Sequence, residues 1–270
     1  MTGLAWALSL AGLLALVALL AGAFTWRRRV RQLERLLADT DRKLEHLQGQ
    51  FERFVPADVV ERLTEGRGIY APERRQVTML FADLRGFTAL CDQLDPAVTV
   101  TILNDYFQYM NDAIARHHGH ITELVGDGLL ALFGALEPNP WQARDSVLAA
   151  LDMRSALERY NAQLRAQSLP ELHFGIGIHI GEVIAGVMGA GELNKFSVTG
   201  DPINVASRVE GLTREHRVDL LITNEIRRAL DSGFRLRAMP ALHVKGKPDP
   251  IQTYHVEGVV GNGTGSAALV

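Results

Sequence analysis

The chain has 270 residues, of which 47% are hydrophobic and 22% charged, with one cysteine and a formal net charge of −3. A single cysteine excludes an intrachain disulfide scaffold, and high apolar content with ordinary glycine and proline excludes collagen-like and wholly disordered chains. The near-neutral balance argues against a dedicated nucleic-acid binder, which carries a strong basic excess.

No charged side chain occurs in residues 1–26, and residues 3–26 read GLAWALSLAGLLALVALLAGAFTW. About 20 apolar residues cross a bilayer as a helix, and helix is the only form in which one segment satisfies its own backbone in lipid. Trp6 and Trp26 stand near the two ends of the run, where amphipathic rings favour the headgroup level. A cleaved signal peptide is the alternative, with Ala21, Gly22 and Ala23 as a small-residue cut site. The lack of Lys or Arg ahead of the run, and a length beyond the roughly 7–15 residues of a signal core, favour a retained anchor. Arg27, Arg28, Arg29 and Arg31 follow at once. The expected topology is therefore single-pass in a plasma or inner membrane, N-terminus outside and the bulk of the chain cytoplasmic.

Val30, Leu33, Leu37, Thr40, Leu44, Leu47, Phe51 and Phe54 alternate three- and four-residue spacings. Residues 27–55 are thus expected to form a coiled-coil linker, a parallel pair of helices weakened at Thr40. The alternative is an amphipathic helix packed on the chain's own body. Residues 56–71 lead into the main domain through Pro56 and a Glu65-Gly-Arg-Gly68 turn, and residues 258–270 are small, polar and expected to be disordered.

Residues 72–257 form one domain of ordinary size. Strands are expected at 76–82, 119–125, 129–133, 218–222, 234–239 and 251–256, and helices at 96–117, 141–165 and 202–212. Val100, Leu103, Phe107, Met110 and Ile114 mark the apolar face of the first helix. Gly126, Asp127 and Gly128 turn one hairpin, and Gly181 and Glu182 are expected to turn another between strands 172–180 and 183–188. Hairpins mixed with crossover helices predict an α+β fold related to the ferredoxin-like plan.

Asp83 ends a strand and Asp127 sits in a tight turn. Such carboxylates suit Mg²⁺, which takes one or two of them together with substrate phosphates. They also suit simple turn formation. Backbone N–H groups of Gly86, Phe87 and Thr88 are candidates for a phosphate cradle. Asn204 and Arg208 share a helix face at i and i+4, and Lys245 and Lys247 bring two ammonium groups together before the last strand. His117, His118 and His120 cluster at a helix end, where dipole and solvent explain them better than zinc.

Taken together, FADLRGFT (81–88), ELVGDGLLALFG (123–134), GIGIHIGEVIAGVMG (175–189), SVTGDPINVASRVEGL (197–212) and VKGKPDPIQTYHV (244–256) resemble the class III adenylate and guanylate cyclase family, in family order. The resemblance implies a lyase that converts a nucleoside triphosphate to a 3′,5′-cyclic monophosphate and pyrophosphate. It implies that Asp83, Asp127 and the Leu84 carbonyl hold two divalent ions, Mg²⁺ or Mn²⁺. It further implies that Arg208 stabilises the transition state, that Asn204 positions the ribose, and that Lys245 and Lys247 contact phosphate. Family sites form between two subunits; this chain carries both sets of residues, which implies a homodimer with two equivalent sites.

Glu123, four residues before Asp127, and Ser197, seven before Asn204, stand where the family reads the purine. An ionised Glu123 accepts hydrogen bonds and suits the N1–H and N2 amino donors of guanine, while Ser197 can donate to O6. GTP is therefore the expected substrate, with ATP the alternative. Some members carry an arginine for the terminal phosphate where this chain has Glu182. A catalytically inactive, membrane-bound dimerisation module is the remaining reading, against which stand the intact Asp83, Asp127, Asn204 and Arg208.

Overall fold

The computed structural model describes residues 72–188, 195–243 and 249–260. The expected span (1–26), linker (27–55), lead-in segment (56–71), Lys245, Lys247 and residues 261–270 lie outside the described residues. Among the described residues, no helix is long and apolar enough to cross a membrane.

The elements run β1 (Glu73–Leu84), α1 (Phe87–Cys91), α2 (Pro96–Ala115), β2 (Gly119–Val125), β3 (Gly128–Phe133), α3 (Gln142–Ala166), β4 (Phe174–Met188), β5 (Lys195–Thr199), α4 (Asp201–His216), β6 (Leu220–Thr223), α5 (Asn224–Ala229), β7 (Phe234–Ala238) and β8 (Thr253–Val259). The sheet order is β2-β3-β1-β4-β6-β8-β7, with β5 paired to β4. Its first half, with order β2-β3-β1-β4 and the long helices α2 and α3 as crossovers, is the ferredoxin-like arrangement.

Strand alternation sorts the side chains onto two faces. Leu80, Ala82, Leu84, Leu129, Ala131, Phe133, Ile176 and Ile178 join Tyr106, Met110, Val147 and Met153 of α2 and α3 in the main core. Val77, Met79, Leu130, Leu132, Val183 and Ala185 face the other way, where Ala206 of α4 joins them. The long α2 begins as its sequence dictates: Pro96 opens it and the Asp95 side chain accepts from the Ala97 N–H at 2.8 Å.

Several expectations need correction. Residues 174–188 form one strand, not a hairpin, because Val77 pairs with Gly181 and Gln76 with Glu182 along an unbroken ladder. A Cβ on Gly181 would stand 2.6 Å from Pro202 Cγ, so this glycine serves close approach of α4 and not a turn. The buried face of α2 is rotated from the expected one: Ile102, Tyr106, Met110, Ala113 and Ile114 are buried, and Val100 is 58% exposed. Helix α4 continues past Leu212 to His216 and ends in a Schellman cap, with Arg217 left-handed at φ 54° and Val218 N–H donating to Thr213 O at 3.1 Å. That cap takes Val218 out of the strand expected at 218–222. Finally, α1, α5 and β5 were not foreseen, and Gly258 and Val259 belong to β8, not to the tail.

Candidate active site

Asp83 occupies the next-to-last position of β1, paired with Gly175 of β4. Its parity puts it on the α4 face of the sheet. Asp127 sits at the tip of the β2–β3 hairpin, where Gly126 at φ 62° supplies the left-handed residue the turn needs. The β1–β3 ladder brings the start of β3 beside Asp83: a Cβ on Gly128 would stand 3.1 Å from Asp83 Oδ1 and 3.4 Å from Ala82 O. Burial and the neighbouring Asp127 charge push the Asp83 carboxyl above the usual carboxylate range, and the Arg214 guanidinium partly offsets this. Two carboxylates converging with too little positive charge between them fit a divalent cation, which supplies that charge and accepts hard oxygen ligands. Among the described residues no group of three or more His, Cys, Asp or Glu side chains forms a metal cage. The pair is thus the kind of sparse donor set that Mg²⁺ completes with water and phosphate.

Two arginines connect this corner to α4. Arg85 Nη2 donates to Val218 O and, at 3.3 Å, to Thr213 O, which pins the cap of α4 to the end of β1. Arg214 Nη2 then donates to Asp83 Oδ2 at 2.9 Å. Glu210, one turn earlier on α4, is a third carboxyl that the sequence reading missed. Burial pushes its pKa up to about 7, with Asp83 and Asp127 adding to the rise while Arg214 and Arg85 oppose it. Its Oε1 is buried without a hydrogen-bond partner. The available signal was the pair of glycines in Gly175-Ile-Gly177: a Cβ on Gly175 would stand 2.7 Å from Glu210 Oε1.

The other expected residues are distributed as follows. Leu84 has a buried hydrocarbon side chain, so its one candidate ligand atom is the backbone carbonyl oxygen. Gly86 is left-handed at φ 69° just before α1. Phe87 is buried in the core while Thr88 is exposed, so any anion contact through Phe87 uses its backbone. Asn204 is exposed and Arg208 half-buried on α4, with Arg208 Nη1 buried and without a hydrogen-bond partner. At 1.5 Å per residue, Arg208 lies about 9 Å and Asn204 about 15 Å along the helix axis from Arg214, which touches Asp83. The acidic pair and Asn204 are therefore at opposite ends of α4. Glu123, half-buried, follows an irregularity in β2 and pairs with Leu130; Ser197 pairs with Gly186 on β5. Four strand spacings, roughly 19 Å, separate these two strands. Within one chain the two candidate base readers are not brought together. Glu182 is exposed and bound to Arg74 at 2.7 Å. His117 and His118 lie against Asp152 and Asp145 respectively.

A sequence model described as the adenylate and guanylate cyclase catalytic domain matches residues 69–258. An adenylate cyclase of Anabaena cylindrica is 34% identical over 239 residues, covering 84% of this chain and 47% of that protein. Adenylate cyclase 1 of Rhizobium meliloti (strain 1021) is 30% identical over 212 residues, covering 78% of this chain and 32% of that protein. The chain thus spans less than half the length of these curated relatives. The crystal structure of the guanylyl cyclase Cya2 superimposes with a TM-score of 0.67 at 34% identity, covering 74% of this chain and 100% of that one.

Proposed function

The chain belongs to the adenylate and guanylate cyclase catalytic-domain family, and on that premise we propose that it converts a purine nucleoside triphosphate to its 3′,5′-cyclic monophosphate. The ribose 3′-oxygen attacks the α-phosphorus, its proton leaves, and the bond to the β-phosphate oxygen breaks to release pyrophosphate. Asp83, Asp127 and the Leu84 carbonyl would hold divalent ions, Mg²⁺ or Mn²⁺. Such ions supply Lewis acidity for the 3′-hydroxyl and charge for the departing phosphates. Arg208 presents a cation to the α-phosphate as negative charge develops, and Asn204 orients the ribose, the positioning work that dominates phosphoryl transfer. Lys245 and Lys247 take the phosphate tail, with backbone from Gly86, Phe87 and Thr88.

The observation that carries this reading is the separation along α4. The acidic pair stands beside the last turn and Asn204 in the first, so a complete site draws the two sets from two chains. A homodimer supplies both sites by symmetry. Residues 1–26 would anchor each chain to the membrane, with the N-terminus outside and the catalytic domain in the cytoplasm. The linker 27–55 would hold the two domains together.

Glu123 and Ser197 favour GTP on hydrogen-bond polarity. ATP is the second reading, favoured by the adenylate cyclase relatives. The deciding experiment offers ATP and GTP separately to the full chain, with Mg²⁺ and with Mn²⁺, and resolves the products by chromatography. Cyclic GMP supports the reading in full, and cyclic AMP alone overturns the purine assignment. No product from a verified dimer favours an inactive dimerisation module.

A further inference from the structure

Arg214 sits in the described site with no part in the chemistry proposed above. Its guanidinium donates to Asp83 Oδ2 at 2.9 Å, and its side chain is 58% exposed. The contact is thus made by a long side chain free to swing into solvent. Asp83 Oδ1, the other carboxylate oxygen, faces the Gly128 turn. The Arg214 backbone does not share this freedom: Arg85 holds the adjacent Thr213 carbonyl, and the left-handed Arg217 closes the helix end. One turn back, at i−4, lies Glu210, whose Oε1 is buried and has no hydrogen-bond partner. Residues at this spacing on a helix are within reach of each other.

We infer that Arg214 is a counter-cation with two seats, resting on the metal-ligand candidate Asp83 when no divalent ion is bound and on Glu210 when one is. This inference rests on the assignment of Asp83 and Asp127 as cation ligands. In the first seat the guanidinium offsets the repulsion between the two aspartates and keeps Asp83 in place. A divalent ion on Asp83 would be repelled by the guanidinium on Oδ2, and moving the guanidinium away relieves that repulsion. Glu210 then receives the displaced guanidinium and lowers the cost of loading. Arg214 is accordingly a positioning residue, and it acts on cation affinity before any nucleotide binds.

The test titrates Mn²⁺ into the nucleotide-free full chain and reads free Mn²⁺ by electron paramagnetic resonance. Arg214→Gln is expected to tighten Mn²⁺ binding roughly threefold to fivefold, the scale set by loss of one partly exposed ion pair. Arg214→Lys retains the charge and is expected to stay near the wild-type affinity. Glu210→Gln removes the second seat and is expected to weaken binding about twofold. Circular dichroism of each variant confirms folding, which exposed Arg214 does not control. Equal or weaker binding by Arg214→Gln overturns the inference, and unchanged binding by Glu210→Gln overturns the second seat. Asp83→Asn separates the two levels. If it leaves Mn²⁺ binding unaltered, the ligand assignment fails and the inference with it. If it abolishes binding while Arg214→Gln changes nothing, only the inference fails.

Discussion

Gly177 of β4 lies directly against the backbone of Glu210 in α4: a Cβ at Gly177 would stand 2.1 Å from the Glu210 nitrogen and 2.7 Å from Ala206 O. Backbone cannot yield as a side-chain tip does. The helix therefore rests on the strand at its minimum distance, and this contact sets the height of Arg208, Glu210 and Arg214 over the sheet. Gly177→Ala is expected to cost about 2 kcal/mol or more of stability by overpacking. A denaturant midpoint indistinguishable from wild type would show that α4 is not seated on this glycine.

The acidic pair carries the second prediction. Asp83→Asn and Asp127→Asn each remove one of two converging carboxylates while keeping size. Each is expected to lower product formation at least a hundredfold, on the order of the loss from other electrostatic transition-state groups. Far-ultraviolet circular dichroism distinguishes this from unfolding.

Mixing tests the two-chain site. Asp83→Asn spoils one set of residues and Arg208→Ala the other, so each homodimer is expected to be inactive. In an equal mixture that exchanges freely, half of the dimers pair the two variants and each of these has one intact site. About a quarter of the wild-type rate should return. An inactive mixture in which exchange has been demonstrated would falsify the shared site.

As the proposed base readers, Glu123 and Ser197 would separate the purines by polarity. Glu123→Lys replaces an acceptor with a donor and is expected to weaken GTP use at least tenfold, with ATP affected less. Parallel kcat/KM values for both nucleotides in wild type and variant check this, and an unchanged ratio removes Glu123 from base recognition.

Glu210 makes stability depend on pH. Its folded pKa of about 7 lies above the reference 4.5, so the folded chain holds the proton more tightly than the unfolded one. The resulting stabilisation is fully present below about 4.5 and is lost as pH rises through about 7. In cation-free buffer the wild-type melting temperature should therefore fall between pH 5 and 8 relative to Glu210→Gln, whose amide does not titrate. Two parallel curves would mean that Glu210 is ionised at no unusual cost.

Asp219 has the opposite sign. Burial alone would raise its pKa, but hydrogen bonds from His255 and from Arg154, at 2.6 Å to Arg154 Nε, outweigh burial and hold it at about 2. Its contribution is present above the reference 3.8 and is lost as pH falls through about 2. Asp219→Asn should cost about 1–2 kcal/mol at neutral pH. The gap between variant and wild type should close in acid, as followed by urea unfolding.

The parts legible in the sequence are those decided within a few residues. The Gly126-Asp127-Gly128 turn, the Asp95-Pro96 start of α2 and the i, i+4 pairing of Asn204 with Arg208 follow from local backbone and helix geometry. The family followed instead from resemblance, carried by short blocks such as FADLRGFT and ELVGDGLLALFG, which pointed to Asp83 and Asp127 as a pair. What needed the tertiary structure was each contact between residues distant in the chain. Gly181 reads locally as a turn residue, and only the unbroken ladder to β1 and the approach of Pro202 make it part of a strand. Val100 fits an amphipathic stripe, yet the sheet lies on the neighbouring face of α2. The sequence pattern alone singled out neither Glu210 nor Arg214; Arg85 draws the end of α4 against β1 and brings Arg214 onto Asp83. Side-chain period and turn chemistry are properties of short segments, whereas which charges meet depends on how the sheet stacks its strands and helices.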